Sequence, residues 1–369
     1  MGFERDRRTV MTLDAGGTNF VFSAIQSNRE TVAPITLPSN GHDLRLCLET
    51  IVKGFKKVRS ALKEAPAAIS FAFPAPADYP NGIIGDLLNL PGFRGGVALG
   101  PMLGEQFGLP VFINNDGDLY AYGEALSGFL PEINAKLEQA GSPKRFKNLF
   151  GVTVGTGFGG GLVRDGRLYQ GDNSMASEVW LLRNKINNKT NAEEGVSIRA
   201  TQRVYAEMTG IGLDEAPSPK EIFEIGIGKV PGNRKAAVEA YRQLGEVLGD
   251  ALGNILTITD SLAVIGGGVA GARELIVPAM MKELRGEFEN YKSDRYYRLI
   301  QKAYYLDDEN DMLEFLRGDS RTVLVPGSRN TLQYDPLART GIGFSRIGAS
   351  KAIALGAYAF ALNTLDNKS

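Results

Sequence analysis

Asp14-Ala-Gly16-Gly17-Thr18-Asn19 is the first stretch of this chain with the residue types to hold a phosphate. Adjacent glycines let a backbone turn tightly and come close to a ligand. The amides beside them, with the Thr18 hydroxyl and the Asn19 amide, suit phosphate oxygens. Asp14 puts a carboxylate where a phosphate-bound magnesium could sit. An ordinary hairpin with a glycine turn fits the same stretch equally well. The device returns twice. Gly155-Thr156-Gly157-Phe158-Gly159-Gly160-Gly161 follows the apolar run Leu149 to Val154, and Gly266-Gly267-Gly268 follows Ser261 to Ile265. Gly155, Gly157 and Gly160 also satisfy G-x-G-x-x-G, but a dinucleotide site needs a helix directly after the glycines. Here Leu162 onward reads as a strand and Asp165-Gly166 as a hairpin turn. No G-x-x-x-x-G-K-[ST] occurs anywhere.

The bulk chemistry excludes several other classes. A net charge of -1 provides no electrostatic footprint for nucleic acid or an anionic membrane surface. One cysteine, Cys47, and one histidine, His42, cannot build a Cys/His zinc site. They allow no disulfide framework, which suits a reducing, cytoplasmic compartment. A Ser-His-Asp hydrolase would need His42 in the loop SNGHDL, and no nucleophile elbow accompanies it. The N-terminus lacks the apolar segment of a signal peptide, and no run of 18 apolar residues marks a membrane span.

Alternating strands and helical patterns must position these glycines. A strand from Thr9 and a return strand Phe20 to Ile25 flank the first turn. Asp43 to Lys63 has apolar residues at helical spacing. Ala67 to Phe73 and Pro110 to Asn114 read as short strands, and the second delivers Asn115-Asp116-Gly117-Asp118 to a helix beginning near Leu119, with Asp118 as its cap. Pro131 to Lys147 reads as a polar linker. Glu178 lies in the loop Gly171 to Leu182, and Glu193-Glu194 suits a helix start. Ala236 to Ile258, Ala272 to Phe288 and Ile347 to Leu362 read as helices. Asp307 to Asp311 reads as a solvated acidic loop rather than a metal site. Two halves, each with strand, glycine turn and strand, suggest one plan used twice.

Three glycine devices in this order, with Asn115-Asp116 between the first two, resemble the ROK family of sugar kinases within the sugar kinase/actin-like ATPase superfamily. The resemblance runs from about Thr9 to Leu362 and is poorest from Asn290 to Arg346. It implies an α/β fold of two actin-like (ribonuclease H-like) domains flanking an active-site cleft. The first would span 1–123 plus 345–369, with the C-terminal helix returning to it. The second would span 124–344, with a family-atypical insertion at about 290–344. By the same resemblance Asp14, Gly16, Gly17, Thr18 and Asn19 form the first phosphate motif, and Gly155, Thr156, Gly157, Gly159 and Gly160 the second. Gly266, Gly267 and Gly268 match the adenosine motif. Asp116 matches the general base. Asn89 (in NLPGF), Asn115, Asp116, Glu178 and Glu193 match the sugar contacts, with Glu194 the alternative to Glu193.

The implied reaction is ATP-dependent phosphorylation of a hexose hydroxyl, at O6 for glucose, with Mg2+ oriented by Asp14 through water. Fructose, mannose and N-acyl hexosamines stay open as substrates, and a homodimer is the family's common state. Two positions depart from the pattern. Leu181 stands where the family has a sugar-contacting histidine, and the zinc-binding cysteines between Leu182 and Glu193 are missing, so no zinc is expected and that loop must be held by packing. A sugar-responsive repressor or sugar-binding regulator is the competing class, and Asp14 so close to the N-terminus leaves no room for the DNA-binding domain it would need.

Overall fold

Backbone packing in the computed structural model, which describes residues 3–16, 18–74, 77–85 and 91–368, divides the chain into two α/β units. The first holds the chain up to Gly128, Gly161–Ser177 and Ile347 onward; the second holds Phe129–Gly160 and Glu178–Arg346. Gly161–Ser177, placed with the second half from sequence, groups with the first.

The first unit opens on the anticipated hairpin. Apolar β1 (Val10–Ala15) pairs antiparallel with β2 (Asn19–Gln26), from Val10 opposite Ile25 to Ala15 opposite Phe20. Ser27 and Asn28, both at positive φ, turn the chain into β3 (Arg29–Pro38). Helix α1 (Leu44–Ala61) starts at Asp43, whose carboxylate accepts the Leu46 N–H, and buries Cys47, Ile51, Phe55 and Val58. β4 (Ala68–Ala72) is wholly buried and parallel to β1. A minimal hairpin, β5 (Ala77–Asp78) and β6 (Ile83–Ile84), precedes α2 (Leu99–Phe107). β7 (Val111–Asn114) runs parallel to β4, which completes the order β3-β2-β1-β4-β7. Phe22, Phe55, Phe71, Phe73 and Phe93 form a chain of ring contacts in the core of this unit. Helix α3 (Asp116–Ser127) starts as soon as β7 ends.

The stretch read as a polar linker is instead mostly helix. Phe129, Leu130, Ile133 and Leu137 recur at helical spacing and are buried along α4 (Phe129–Gln139). β8 (Leu149–Val154) leads into the second glycine turn. β9 begins at Phe158, so Gly159 and Gly160 are strand residues and only Gly155–Gly157 turn. β9 (Phe158–Arg164) carries the chain from one unit to the other, and Asp165-Gly166, at positive φ, turns it into β10 (Arg167–Tyr169).

Helices α5 (Ile198–Thr209), α6 (Pro219–Gly226) and α7 (Arg234–Thr259) follow, then β11 (Leu262–Gly266) and α8 (Arg273–Leu284). α8 stops before Phe288, which sits in a small hairpin of β12 (Glu287–Glu289) and β13 (Arg295–Tyr297). β14 (Lys302–Tyr305), α9 (Glu309–Arg317), the hairpin β15 (Arg321–Leu324) with β16 (Thr331–Tyr334), and β17 (Arg339–Phe344) complete the unit. The sheet order is β10-β9-β8-β11-β17-β14, with β8, β11, β17 and β14 parallel.

Two of those strands, β14 and β17, lie inside the stretch read as an insertion and belong to the six-stranded sheet, while the hairpins β12-β13 and β15-β16 are separate two-stranded sheets. The acidic run is solvent-exposed through Asp308, Glu309 and Asn310 as expected, but it opens a helix rather than forming a loop. Asp308 caps α9 through the Asn310 and Asp311 amides, Asp307 pairs with Arg346, and Asp311 pairs with Arg285. The last helix, α10 (Ala349–Lys368), returns to the first unit and packs on α3. A Cβ at Gly356 would fall 1.9 Å from the Leu119 carbonyl oxygen, which measures how closely the two backbones approach.

Candidate active site

Within the first unit, β1, β4 and β7 are parallel, so Asp14 and Asn115-Asp116 arrive at the same carboxyl rim. Ligands of open α/β sheets bind at that edge. The helix cap is Asn115, not Asp118: its side-chain oxygen accepts the Gly117 N–H at 2.7 Å. That leaves the Asn115 amide N–H2 free to donate. Asp116 sits in the first turn of α3, accepting the same N–H at 2.9 Å. It is open to solvent yet hemmed in by protein. That crowding pushes its carboxyl above the usual range, against the pull of the Gly117 and Asp116 amides, and the negative charge of Asp14 pushes the same way. Asp14 is raised by crowding alone. Gln170 donates to the Asn114 side chain at 2.7 Å, just before the pair.

The first glycine turn is tight. A Cβ on Gly16 would stand 2.8 Å from the Asn19 carbonyl oxygen, and Thr18 and Asn19 are exposed. Gly17 and Asn89 lie outside the described residues.

Within the second unit, the second and third turns pack on each other at the carboxyl ends of adjacent parallel strands. Gly267, at φ +94, lies so close to β8 that a Cβ would meet the Val154 carbonyl oxygen at 2.3 Å. Only glycine fits there. Gly266 ends β11 opposite Thr153, and Gly268 opens a short 3-10 turn to Ala272. Beside Gly155 and Gly268 a Cβ would meet nothing within 4 Å, and Thr156 is exposed. Two amide-bearing turns with open space above them fit the phosphates and ribose of a nucleotide.

Glu178 and Glu193 are held differently. Trp180 donates its indole N–H to Oε2 of Glu178. The other Glu178 oxygen is left for a ligand. Glu193 accepts the Phe158 N–H at 3.0 Å and pairs with Arg199 at 3.0 Å. Leu181 is 60% exposed, so this apolar side chain takes no part in the core. The loop without cysteines is organised by hydrogen bonds rather than by packing alone. Buried Asn184 accepts the Ile186 and Asn187 amides at 3.0 and 3.2 Å, and its own N–H donates to the Thr190 carbonyl at 3.1 Å.

The ROK family model matches residues 10–310. A crystal structure of a glucokinase from Parabacteroides distasonis is 55% identical, covers 98% of this chain and 99% of its own, and superposes with a TM-score of 0.90. A ROK hexokinase from Thermus thermophilus shares the fold at 20% identity, with a TM-score of 0.68 over 97% of this chain and 99% of its own. An N-acetyl-D-glucosamine kinase from Vibrio cholerae is 27% identical over 73% of this chain and 87% of its own. The chain therefore belongs to the ROK family, and its two α/β units are the actin-like domains of that fold.

Proposed function

We propose that this ROK-family sugar kinase is a glucokinase, moving the γ-phosphoryl group of ATP to O6 of glucose. The observation that carries this is the near-complete alignment with the P. distasonis glucokinase at 55% identity. The juxtaposition of Asp116 and Asp14 on one sheet rim agrees with it.

Asp116 accepts the proton of the attacking hydroxyl. A raised carboxyl pKa brings a base closer to working pH, and a positioned base is worth roughly 10²–10⁴-fold in rate. Asn115, with its oxygen committed to the Gly117 amide, offers its N–H2 to a neighbouring hydroxyl. Glu178, oriented by Trp180, accepts from the sugar through its remaining oxygen. Glu193 and Asn89 complete the sugar set. The amides of the turns at Gly16–Asn19 and Gly155–Gly157 hold phosphate oxygens, and those at Gly266–Gly268 face the adenosine. Bound ATP with Mg2+ supplies the phosphoryl group and neutralises its charge. Asp14, a carboxylate at the same rim as Asp116, would hold that ion, as suits a cation that prefers oxygen ligands. The enzyme works without zinc, and as a cytoplasmic homodimer, the state that the family resemblance implies.

Initial rates of ADP release over glucose, mannose, fructose, N-acetylglucosamine and N-acetylmannosamine test the assignment. Glucose should have the highest kcat/KM. A higher value for N-acetylglucosamine would transfer the assignment to the substrate named for the V. cholerae relative.

A further inference from the structure

The second glycine turn is gripped from behind by the segment that supplies a sugar-site glutamate. Oε2 of Glu193 accepts the N–H of Phe158, the residue on which the turn closes, at 3.0 Å. A Cβ on residue 157 would stand only 2.7 Å from the same oxygen, so Gly157 makes room for it. Oε1 takes Arg199 at 3.0 Å, which fixes the carboxylate from its far side. A second strut runs from the Ile198 N–H to the Gly155 carbonyl at 2.8 Å, and the turn closes on itself through the Gly155 N–H and Gly157 carbonyl at 2.9 Å. Asn191 caps the short turn bearing Glu193, and Ser197 caps α5, so the bracing segment is anchored at both ends.

We infer that Glu193 is a positioning residue for the phosphate-binding turn, with Arg199 as its orienting partner, beyond any contact it makes with sugar. The inference rests on the proposed kinase reading for the identity of the ligand at the turn, but not for the bracing itself. Each carboxylate oxygen has a second lone pair. Glu193 can therefore hold the turn and still accept from a hydroxyl, which would link the state of the sugar side to the geometry of the phosphate side.

Hydrogen exchange of the 155–161 segment in the ligand-free protein, together with calorimetric titration of ADP and of glucose separately, tests this. Glu193→Ala should accelerate exchange in the turn and weaken ADP binding by roughly tenfold, the scale of one hydrogen bond to a charged group. Glu193→Gln, which keeps an acceptor oxygen for the Phe158 amide, should restore most of both. Arg199→Ala removes an exposed side chain, so the fold survives, and should shift both in the same direction by less. Glu194→Ala should leave exchange in the turn as in the wild type. The inference is overturned if Glu193→Ala weakens glucose binding while exchange and ADP affinity stay unchanged, or if Glu193→Gln is as damaging to the turn as Glu193→Ala. Should the wild-type protein bind no ADP, the kinase reading falls, and the exchange data still decide whether Glu193 braces the turn.

Discussion

At the scale of single residues, Asp116, the proposed general base, should set activity against stability. Its carboxyl is raised by crowding and by the charge of Asp14, so ionising it costs the folded state. Above the ordinary carboxylate pKa the folded protein holds the proton more tightly than the unfolded chain. Stability therefore falls as pH rises through the window between the unfolded and folded pKa values. Asp116→Asn should lose roughly 10²–10⁴-fold in kcat and raise the melting temperature at neutral pH. That gain should vanish once pH falls below the unfolded carboxylate range. Thermal melts across pH beside steady-state rates check both halves, and the acid limb of wild-type kcat/KM should lie above the usual aspartate range.

Asp335 behaves oppositely. Burial works to raise its pKa, but Arg339, 2.7 Å away with a side chain 0% exposed, and the Asp319 and Leu337 amides bring it below the usual value. Its stabilisation is full above the unfolded pKa and is lost as pH falls through the folded one. Arg339→Leu leaves that carboxylate buried without its partner and should cost about 3–5 kcal/mol, read from urea unfolding at neutral pH.

At the scale of elements, close backbone contact and loop hydrogen bonding decide the outcome. Gly356→Ala drives a methyl into the Leu119 carbonyl where α10 crosses α3, and should destabilise the protein by about 1–3 kcal/mol or more. Asn184→Ala removes the acceptor of two amides in the loop between Leu182 and Glu193 and should cost about 1–3 kcal/mol. Hydrogen exchange should rise in that loop first.

The elements were legible wherever a period or a turn residue marked them. The first hairpin, the Asp165-Gly166 turn, and helices α1 and α7 followed from alternation, positive-φ residues and apolar spacing. What stayed hidden was set by neighbours in space. Charged residues between Pro131 and Lys147 masked a four-residue buried stripe, so α4 read as a linker. β14 and β17 are short strands within a polar stretch, and only their parallel pairing with β11 and with each other shows them to be sheet. Among the candidate site residues, the glycines and Asp116 carried local signals. The Trp180 and Arg199 grips on the two glutamates carried none, because each depends on a loop path that no spacing rule describes.

At the scale of the molecule, membership of the ROK family rests on a family match over most of the chain, and the proposed chemistry draws on the glycine turns within each unit. Metal dependence tests the proposed use of magnesium without zinc. A chelator selective for zinc should leave activity unchanged, whereas removal of magnesium should abolish it and added Mg2+ restore it.

The central claim is phosphoryl transfer from ATP to a hexose. It is tested most directly by the ADP released from ATP and Mg2+ by the purified wild-type protein, with and without glucose. The account predicts release that depends on glucose and equals the sugar phosphate formed, mole for mole. Release at the same rate without sugar, or none with any hexose, would contradict it.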